Sequence, residues 1–390
     1  MQPLAGVSEA RGAVGGGTGY AAAQVLNFLQ ASDVQEDWTV DLLDLNLKPK
    51  GDLSGYVSRG GGADIAYDST AAIKRTLAIP TVSGAVGILP SDCMRVWYKL
   101  LAPDGGWLRT PLGTFMQPAP ATQSSTPAAT WLNVSASELL QFLTETTFVE
   151  SYAVGLLTNY VSAIRNIIAM AGGPRLVVRI PDPGKYLLAP LGWDSGVSLL
   201  TAVNDLLAAI GYTTAYTDAM GVIRADPLPN FSLIQPSFTF DATTGHGIVA
   251  GNIQRSPDPS KIINACKVVG EDARKEPVSA TYTNIAAASP ISVPRLGRTK
   301  MLLIKDSTVA DAQAALARAK FEVQMAAANY APIALSTFSW PFSENLDVYK
   351  LVYSTPDEGL VSLLVAETKW SHHVGAGGFS THTLNAVVAT

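Results

Sequence analysis

The chain has 390 residues, enough for two to four domains rather than one ordinary core. Only 15% of them are charged and 47% are apolar, with a mean hydropathy of +0.20, yet no run of about 18 apolar residues occurs, which excludes a membrane-spanning helix as the reason. A net charge of −5 argues against a surface built to grip phosphates, so an apolar, charge-poor chain of this kind is expected to hide much of its surface in an assembly.

The N-terminus lacks the basic and apolar regions of a secretory signal. Residues 1–37 read as a flexible arm, with two helical turns expected over Ala21–Gln30. Gly15, Gly17 and Gly19 precede a helix former, but a phosphate cradle needs a strand before the glycines and a lysine after them. From Trp38 the pattern is β. Trp38–Leu43, Ile65–Asp68, Lys74–Ile79, Arg95–Leu101, Trp107–Arg109 and Gly113–Met116 are expected strands, and Pro103-Asp104-Gly105 is a turn. Gln117–Ala129 has the composition of a linker. The period then switches to helical: a short helix is expected over Ser137–Thr144 and a longer one over Thr158–Ala171. Another runs through Leu199, Leu200, Val203, Leu206, Leu207 and Ile210 and is closed by Gly211. Leu176–Ile180 reads as a strand, Tyr212–Tyr216 with Val222–Ala225 as a hairpin, and Phe238–Phe240 as a strand returning to the first β unit. No repeat is visible by residue identity.

Beyond Lys261 the expectation is a strand over Ile262–Val269, a loop carrying Pro277, Pro290 and Pro294, one helix over Thr308–Tyr330, and a meander. Val309, Ala312, Leu316, Ala319, Val323, Ala326 and Tyr330 fall on one helical stripe. Thr308 followed by Asp311 is a weak capping box, and Pro332 stops the helix. The stripe is rich in alanine, so the helix is expected to lie close on a sheet. Leu335–Trp340, Val348–Tyr353, Leu360–Lys369 and Phe379–Val388 supply the meander.

Several of these runs together resemble the hub proteins of phage tail tips and baseplates. The first is Arg95 to Leu100, the Pro-Asp-Gly turn and Pro111 to Phe115. The second is the Trp193–Gly196 lead-in to a helix ending in Gly211-Tyr212. The third is Asn264, Val268 and Gly270 ahead of a Pro-rich loop and an Ala-rich helix. The resemblance covers about residues 38–390 and implies an α+β, mainly β chain: two antiparallel β-barrel hub domains with an inserted α/β region. The implied division is an arm at 1–37, a first barrel at 38–128 completed by about 226–260, an insert at 129–225, and a second barrel at 261–390 with helix 308–330. It further implies a non-enzymatic virion protein at the tail tip, made in the host cytoplasm, in which three copies close a ring. Its partners would be a distal tail protein, a tape-measure protein and tip or fibre proteins, with DNA passing without sequence-specific binding. The competing reading is a tip protein that acts on the host wall or binds carbohydrate.

The residues themselves offer no catalytic, cofactor or metal set. Ser195 between glycines lacks the spacing and the preceding strand of a nucleophile elbow, and reads as a helix cap beside a Trp193 anchor. His372, His373, His382 and Glu367 cluster near the C-terminus, but adjacent histidines on a strand point apart, so exposed hairpin groups are expected. Glu271-Asp272 and Asp357-Glu358 sit in turns, where a glycosidase pair cannot face across a groove. The basic spots at Lys48/Lys50, Lys74-Arg75, Arg274-Lys275 and Arg295–Lys300 are scattered and lack interleaved aromatics. Cys93 and Cys266 are expected as buried free thiols, with a structural disulfide as the lesser alternative.

Overall fold

The computed structural model describes residues 28–29, 34–58, 61–83, 92–117, 122–125, 130–172, 176–229, 234–243, 248–271, 276–287, 289, 291–306, 309, 311–357, 359–375 and 378–386. The glycine tract of the arm, Arg274-Lys275 and Thr308 lie outside them.

Strands dominate. The first half of the chain contributes β1 (Glu36–Leu43), β2 (Pro49–Asp52), β3 (Ala63–Asp68), β4 (Arg75–Ser83), β5 (Cys93–Leu101), β6 (Trp107–Met116), β7 (Thr122–Ser125) and β8 (Thr130–Glu138). The insert follows: α1 (Gln141–Glu145), β9 (Tyr152–Val154), α2 (Tyr160–Ala169), β10 (Val178–Arg179), β11 (Leu191–Trp193), α3 (Leu199–Ala209), β12 (Tyr216–Thr217) and β13 (Ile223–Arg224). The remainder is β14 (Phe238–Asp241), β15 (Val249–Arg255), β16 (Ala265–Glu271), β17 (Pro277–Thr283), α4 (Val293–Leu296), β18 (Met301–Lys305), α5 (Ala312–Asn329), β19 (Pro332–Phe338), β20 (Val348–Thr355), β21 (Gly359–Val374) and β22 (Phe379–Ala386). None of the helices among the described residues is long and apolar enough to cross a membrane.

Fourteen strands form one sheet, in the order β15-β19-β22-β21-β3-β4-β8-β6-β5-β1-β2, with β20 beside β21, β14 beside β20 and β7 beside β8. The chain is therefore mainly β, as its alternating patterns predict. The junction between its two halves is β21. Over Gly359–Ala366 this strand pairs with β20, and over Lys369–Val374 the same strand pairs with β3. One apolar core serves both halves, running from Trp38, Val96 and Phe115 to Phe240, Tyr349 and Trp370.

The strand pairings correct two expectations. The 226–260 stretch does not complete the first half. β14 pairs with β20 and β15 with β19, so both join the second half. The cause is aromatic: Phe238 stands 4.5 Å from Trp340 and Phe240 stands 4.9 Å from Tyr349, centroid to centroid. Nor is the meander the main support of the long helix, although Phe321 and Met325 of the helix pack with Val348 and Ala366 there. β16, β17 and β18 form their own sheet, and α5 packs on it through Ala314, Ala315, Ala319 and Val323 against Cys266 and Val268. The buried stripe is thus rotated from the expected one, and Leu316 is 45% exposed. Asp311, whose carboxylate accepts the Gln313 and Ala314 amides at 2.7 and 2.9 Å, is the N-cap. Alanines permit the close approach. Gly270 of β16 completes it, since a side chain there would meet the carbonyl of Val309. The expected linker also contributes β7 to the sheet.

The insert is a duplicated unit that residue identity conceals. One strand and the helix after it recur 39 residues later: Tyr152 and Leu191 open the strands β9 and β11, and Asn159 and Ser198 cap α2 and α3. The hydrogen bonds repeat reciprocally. The Phe148 amide donates to Val197 and the Leu187 amide to Thr158, while Gly196 donates to Phe148 and Leu157 to Leu187. β9 and β11 pair antiparallel at the centre, and the helices bury Ile164, Ile167, Val203 and Leu206 in one core. At the equivalent turn positions Gly196 has φ 88° and Leu157 has φ 60°.

Candidate functional site

Two consecutive basic residues organise the centre of the molecule. Lys74 precedes β4 and Arg75 begins it, so their side chains leave on opposite sides. Arg75, 1% exposed, places Nη2 2.7 Å from Glu344 Oε2 and donates through Nη1 to the Leu112 carbonyl at 3.2 Å. Its guanidinium carbon lies 5.6 Å from the Tyr67 ring and 5.5 Å from the Trp370 ring, two rings that stack on each other. Burial opposes its charge, but Glu344, Tyr67 and Glu138 outweigh burial and hold its pKa above the ordinary range. Gly113 is required beside it, because a side chain there would press on Arg75 and the Phe115 ring. Tyr67 extends the tie, its hydroxyl donating to Asn345 at 2.7 Å.

On the other side, the Lys74 ammonium donates to the carbonyls of Ser69 and Ala71 and to Thr214 Oγ1, at 2.8, 3.2 and 2.9 Å. Burial lowers its pKa, against Glu138 and Asp68. The Lys74 amide donates to Glu138 Oε1, while Glu138 Oε2 accepts the amide and hydroxyl of Thr217 at 3.0 and 2.6 Å. A second tether runs from Arg95 to Thr114 and the Met220 carbonyl, at 2.8 and 3.0 Å. The basic pair read as a scattered surface spot is thus a three-way joint between the first half, the insert and the second half. Every hydrogen bond it makes is internal, so the arrangement fixes geometry rather than presenting a reactive group. Beside it a cleft of about 360 Å³ lies between Ser69, Lys74, Asn204, Arg318, Phe321 and Asn345.

The C-terminal histidines are not exposed hairpin groups, because β21 runs through both His372 and His373. His372 and His382 point inward and are buried; His373 points outward onto Asp64 at 2.7 Å. Glu367 Oε1 and His382 Nδ1 are hydrogen-bonded across 2.5 Å, and His382 Nε2 meets Thr337 Oγ1 at 2.9 Å. Burial raises the Glu367 carboxyl, against the pull of His382. His372 Nδ1 meets Ser380 Oγ at 2.5 Å, while its Nε2 has no partner among the described residues. Burial, helped by His382 and His373, drives its pKa down to about 3. This hydroxyl–imidazole–carboxylate order has the outline of a hydrolytic triad. Its members line neither the cleft beside Lys74 nor the shallow depression along β3 and β21, so it is a buried polar clamp across β19, β21 and β22.

The other sequence candidates stay apart. Ser195 donates to the Val149 carbonyl at 2.7 Å, and it is Ser198 that caps α3. Trp193 is the expected anchor, bonded to Asp205 at 2.8 Å and stacked on Phe148. Glu271 is exposed at a strand end and Asp357 lies in a turn, while Asp272 and Glu358 lie outside the described residues. Cys93 and Cys266 are free, buried thiols, and burial raises each to about 11. Among the described residues no three His, Cys, Asp or Glu side chains converge as metal ligands.

No protein-family model matches the chain, and no curated protein matches its sequence. Solved structures do. A tail protein from Neisseria meningitidis superposes with a TM-score of 0.64 at 11% identity, over 89% of this chain and 96% of that one. The 43 kDa tail protein of a Shewanella oneidensis prophage gives 0.59 at 11% identity, over 89% and 98%. A prophage tail protein from Listeria monocytogenes gives 0.55 at 12% identity, over 88% and 94%. The chain shares the fold of these three tail proteins over 88–89% of its length.

Proposed function

We propose that the chain is a structural subunit of a phage tail, the hub of its tip or baseplate. Three copies would close a ring that adapts the tube to the tip and takes part in host attachment and DNA ejection. The observation that carries this reading is the two-way coverage: the shared fold spans almost all of this chain and of the three tail proteins named above. The joint at Arg75 supports it, since a buried ion pair and a buried lysine held in internal ties suit a rigid structural part better than a catalyst. The ring's neighbours would be the distal tail protein, the tape-measure protein and tip or fibre proteins, and the reading assigns no chemical reaction.

Native mass spectrometry of the full chain, with and without co-expressed tail proteins, tests it. A trimer, or incorporation into a tail at its distal end, is the expected result. A monomer that stays monodisperse at high concentration and joins no tail assembly overturns the reading.

A further inference from the structure

A sheet edge is a row of unpaired amides and carbonyls, and folded chains usually blunt it with charge, proline, bulges or shortness. Most edges here are blunted. β2 has four residues, among them Pro49, Lys50 and Asp52; β15 is bulged between Ala250 and Gln254; β17 opens with Pro277 and turns Ser279 and Thr281 outward. β18 is different. It reads Met-Leu-Leu-Ile-Lys, contains no proline, and pairs with β16 alone among the described strands. Helix α5 lies over β17 and β16, which leaves Leu302 and Ile304 of β18 half-buried on the inner face. On the outer face Met301 and Leu303 are 56% and 53% exposed.

The direction of the free groups follows from the neighbouring bonds. The Lys300 carbonyl accepts from Asn264 at 3.0 Å, and the Asp306 amide donates to Val269 at 2.9 Å. Alternation along the strand then aims the amides of Met301, Leu303 and Lys305 at the open edge. The outer face beside them carries Lys267 and Lys305, neither ion-paired with a described residue, in a chain of net negative charge. Glu271, the acid of that face, lies beyond the last β16–β18 pair, Val269 with Lys305.

We propose that β18 is a docking strand. An extended segment of a neighbouring protein adds to its open edge, with apolar side chains over Met301 and Leu303 alternating with carboxylates near Lys267 and Lys305. The proposal rests on the reading that the chain works inside an assembly.

Two synthetic heptapeptides test it on the full chain, one alternating valine with glutamate and one alternating valine with lysine. The acidic peptide is expected to bind, to slow hydrogen exchange at Met301, Leu303 and Lys305, and to bind at least about tenfold more tightly than the basic one. Leu303→Pro removes an outward amide that β16 does not use, and abolishes binding with little change in melting temperature. Lys305→Glu, which leaves the backbone intact, reverses the preference between the peptides. Failure of both peptides to protect these amides, or equal binding by both, overturns the proposal. So does protection that appears on concentrating the chain alone, because a second copy would then fill the edge. The mass of the same sample separates the two readings: a trimer whose β18 ignores both peptides leaves the hub reading standing and removes this one.

Discussion

The Arg75–Glu344 pair is unequally buried, and that inequality makes a specific forecast. Arg75 is 1% exposed and Glu344 19%, with 2.7 Å between their charged atoms. Breaking the pair from either end forfeits the same contact but strands a different partner. Glu344→Ala leaves a guanidinium sealed in the core, held by one carbonyl and two aromatic faces, and removing one partner of a buried pair in this way costs about 3–5 kcal/mol. Arg75→Met fills similar volume and strands only a carboxylate that already reaches water, so the cost falls to about 2–3 kcal/mol, near that of a charged hydrogen bond. The double variant Arg75→Met/Glu344→Ala removes both charges and should cost little more than Arg75→Met alone, giving a coupling of about 2 kcal/mol or more. Urea titrations of the four proteins, followed by tryptophan fluorescence at constant m, measure all three quantities. The reasoning fails if Glu344→Ala is the milder single change, or if the two single effects simply add.

Three further outcomes are expected. On α5, Ala319→Leu should cost about 1–3 kcal/mol by overpacking, whereas Leu316→Ala should stay within about 0.5 kcal/mol; equal effects in denaturation would place the buried stripe elsewhere. Leu157 holds φ 60° while 69% exposed, so Leu157→Gly should raise stability by roughly 1 kcal/mol, and a loss in thermal unfolding would show that its side chain packs. His372 has its folded pKa pushed down to about 3 from a usual 6.5, so the unfolded chain binds a proton that the folded chain refuses. That stability is present above the unfolded value and is lost as the pH falls from 6.5 towards 3, at up to about 1.4 kcal/mol per pH unit. Stability measured against pH should therefore be flatter for His372→Asn by that slope, and parallel curves would refute the assignment.

Local pattern carried much of the fold. Helix α3 was legible from the spacing of Leu199, Val203 and Leu206, and strands β1, β3, β5 and β20 from alternation alone. Pairing was not legible, because a period of two says that one face is buried without saying which sheet buries it. Alternation therefore marks Phe238–Phe240 and, from Ala265 onward, Ile262–Val269 as strands but places them in the wrong sheets. The stripe on α5 slipped for a related reason. Alanines at 312, 314, 315, 317, 319, 326 and 327 occur all round the helix, so apolar spacing there selects no single face. The insert's duplication escaped because its equivalent residues share conformation and hydrogen bonding, while Leu157 stands where Gly196 does and Asn159 where Ser198 does. At the joint, Lys74 and Arg75 had the composition of a surface spot. Only the long-range partners Glu344 and Thr214, far away in sequence, mark them as interior. The buried histidines could have been suspected from β21 itself, since a strand continued past Lys369 places His372 and Trp370 on one face.

The sharing of β21 between the two halves also decides how the protein yields to force. A pull that separates the halves loads a paired strand at this junction, because β21 stays bonded to β22, with one bulge between Glu367 and Lys369, past the point where β20 gives way to β3. Traction along that strand loads its bonds to β22 and β3 together, in shear, rather than unzipping them one at a time. In the proposed ring each copy would then deform as a stiff plate. A bore that widens to let a polymer through would open at the seams between copies, and its compliance would be a property of those seams.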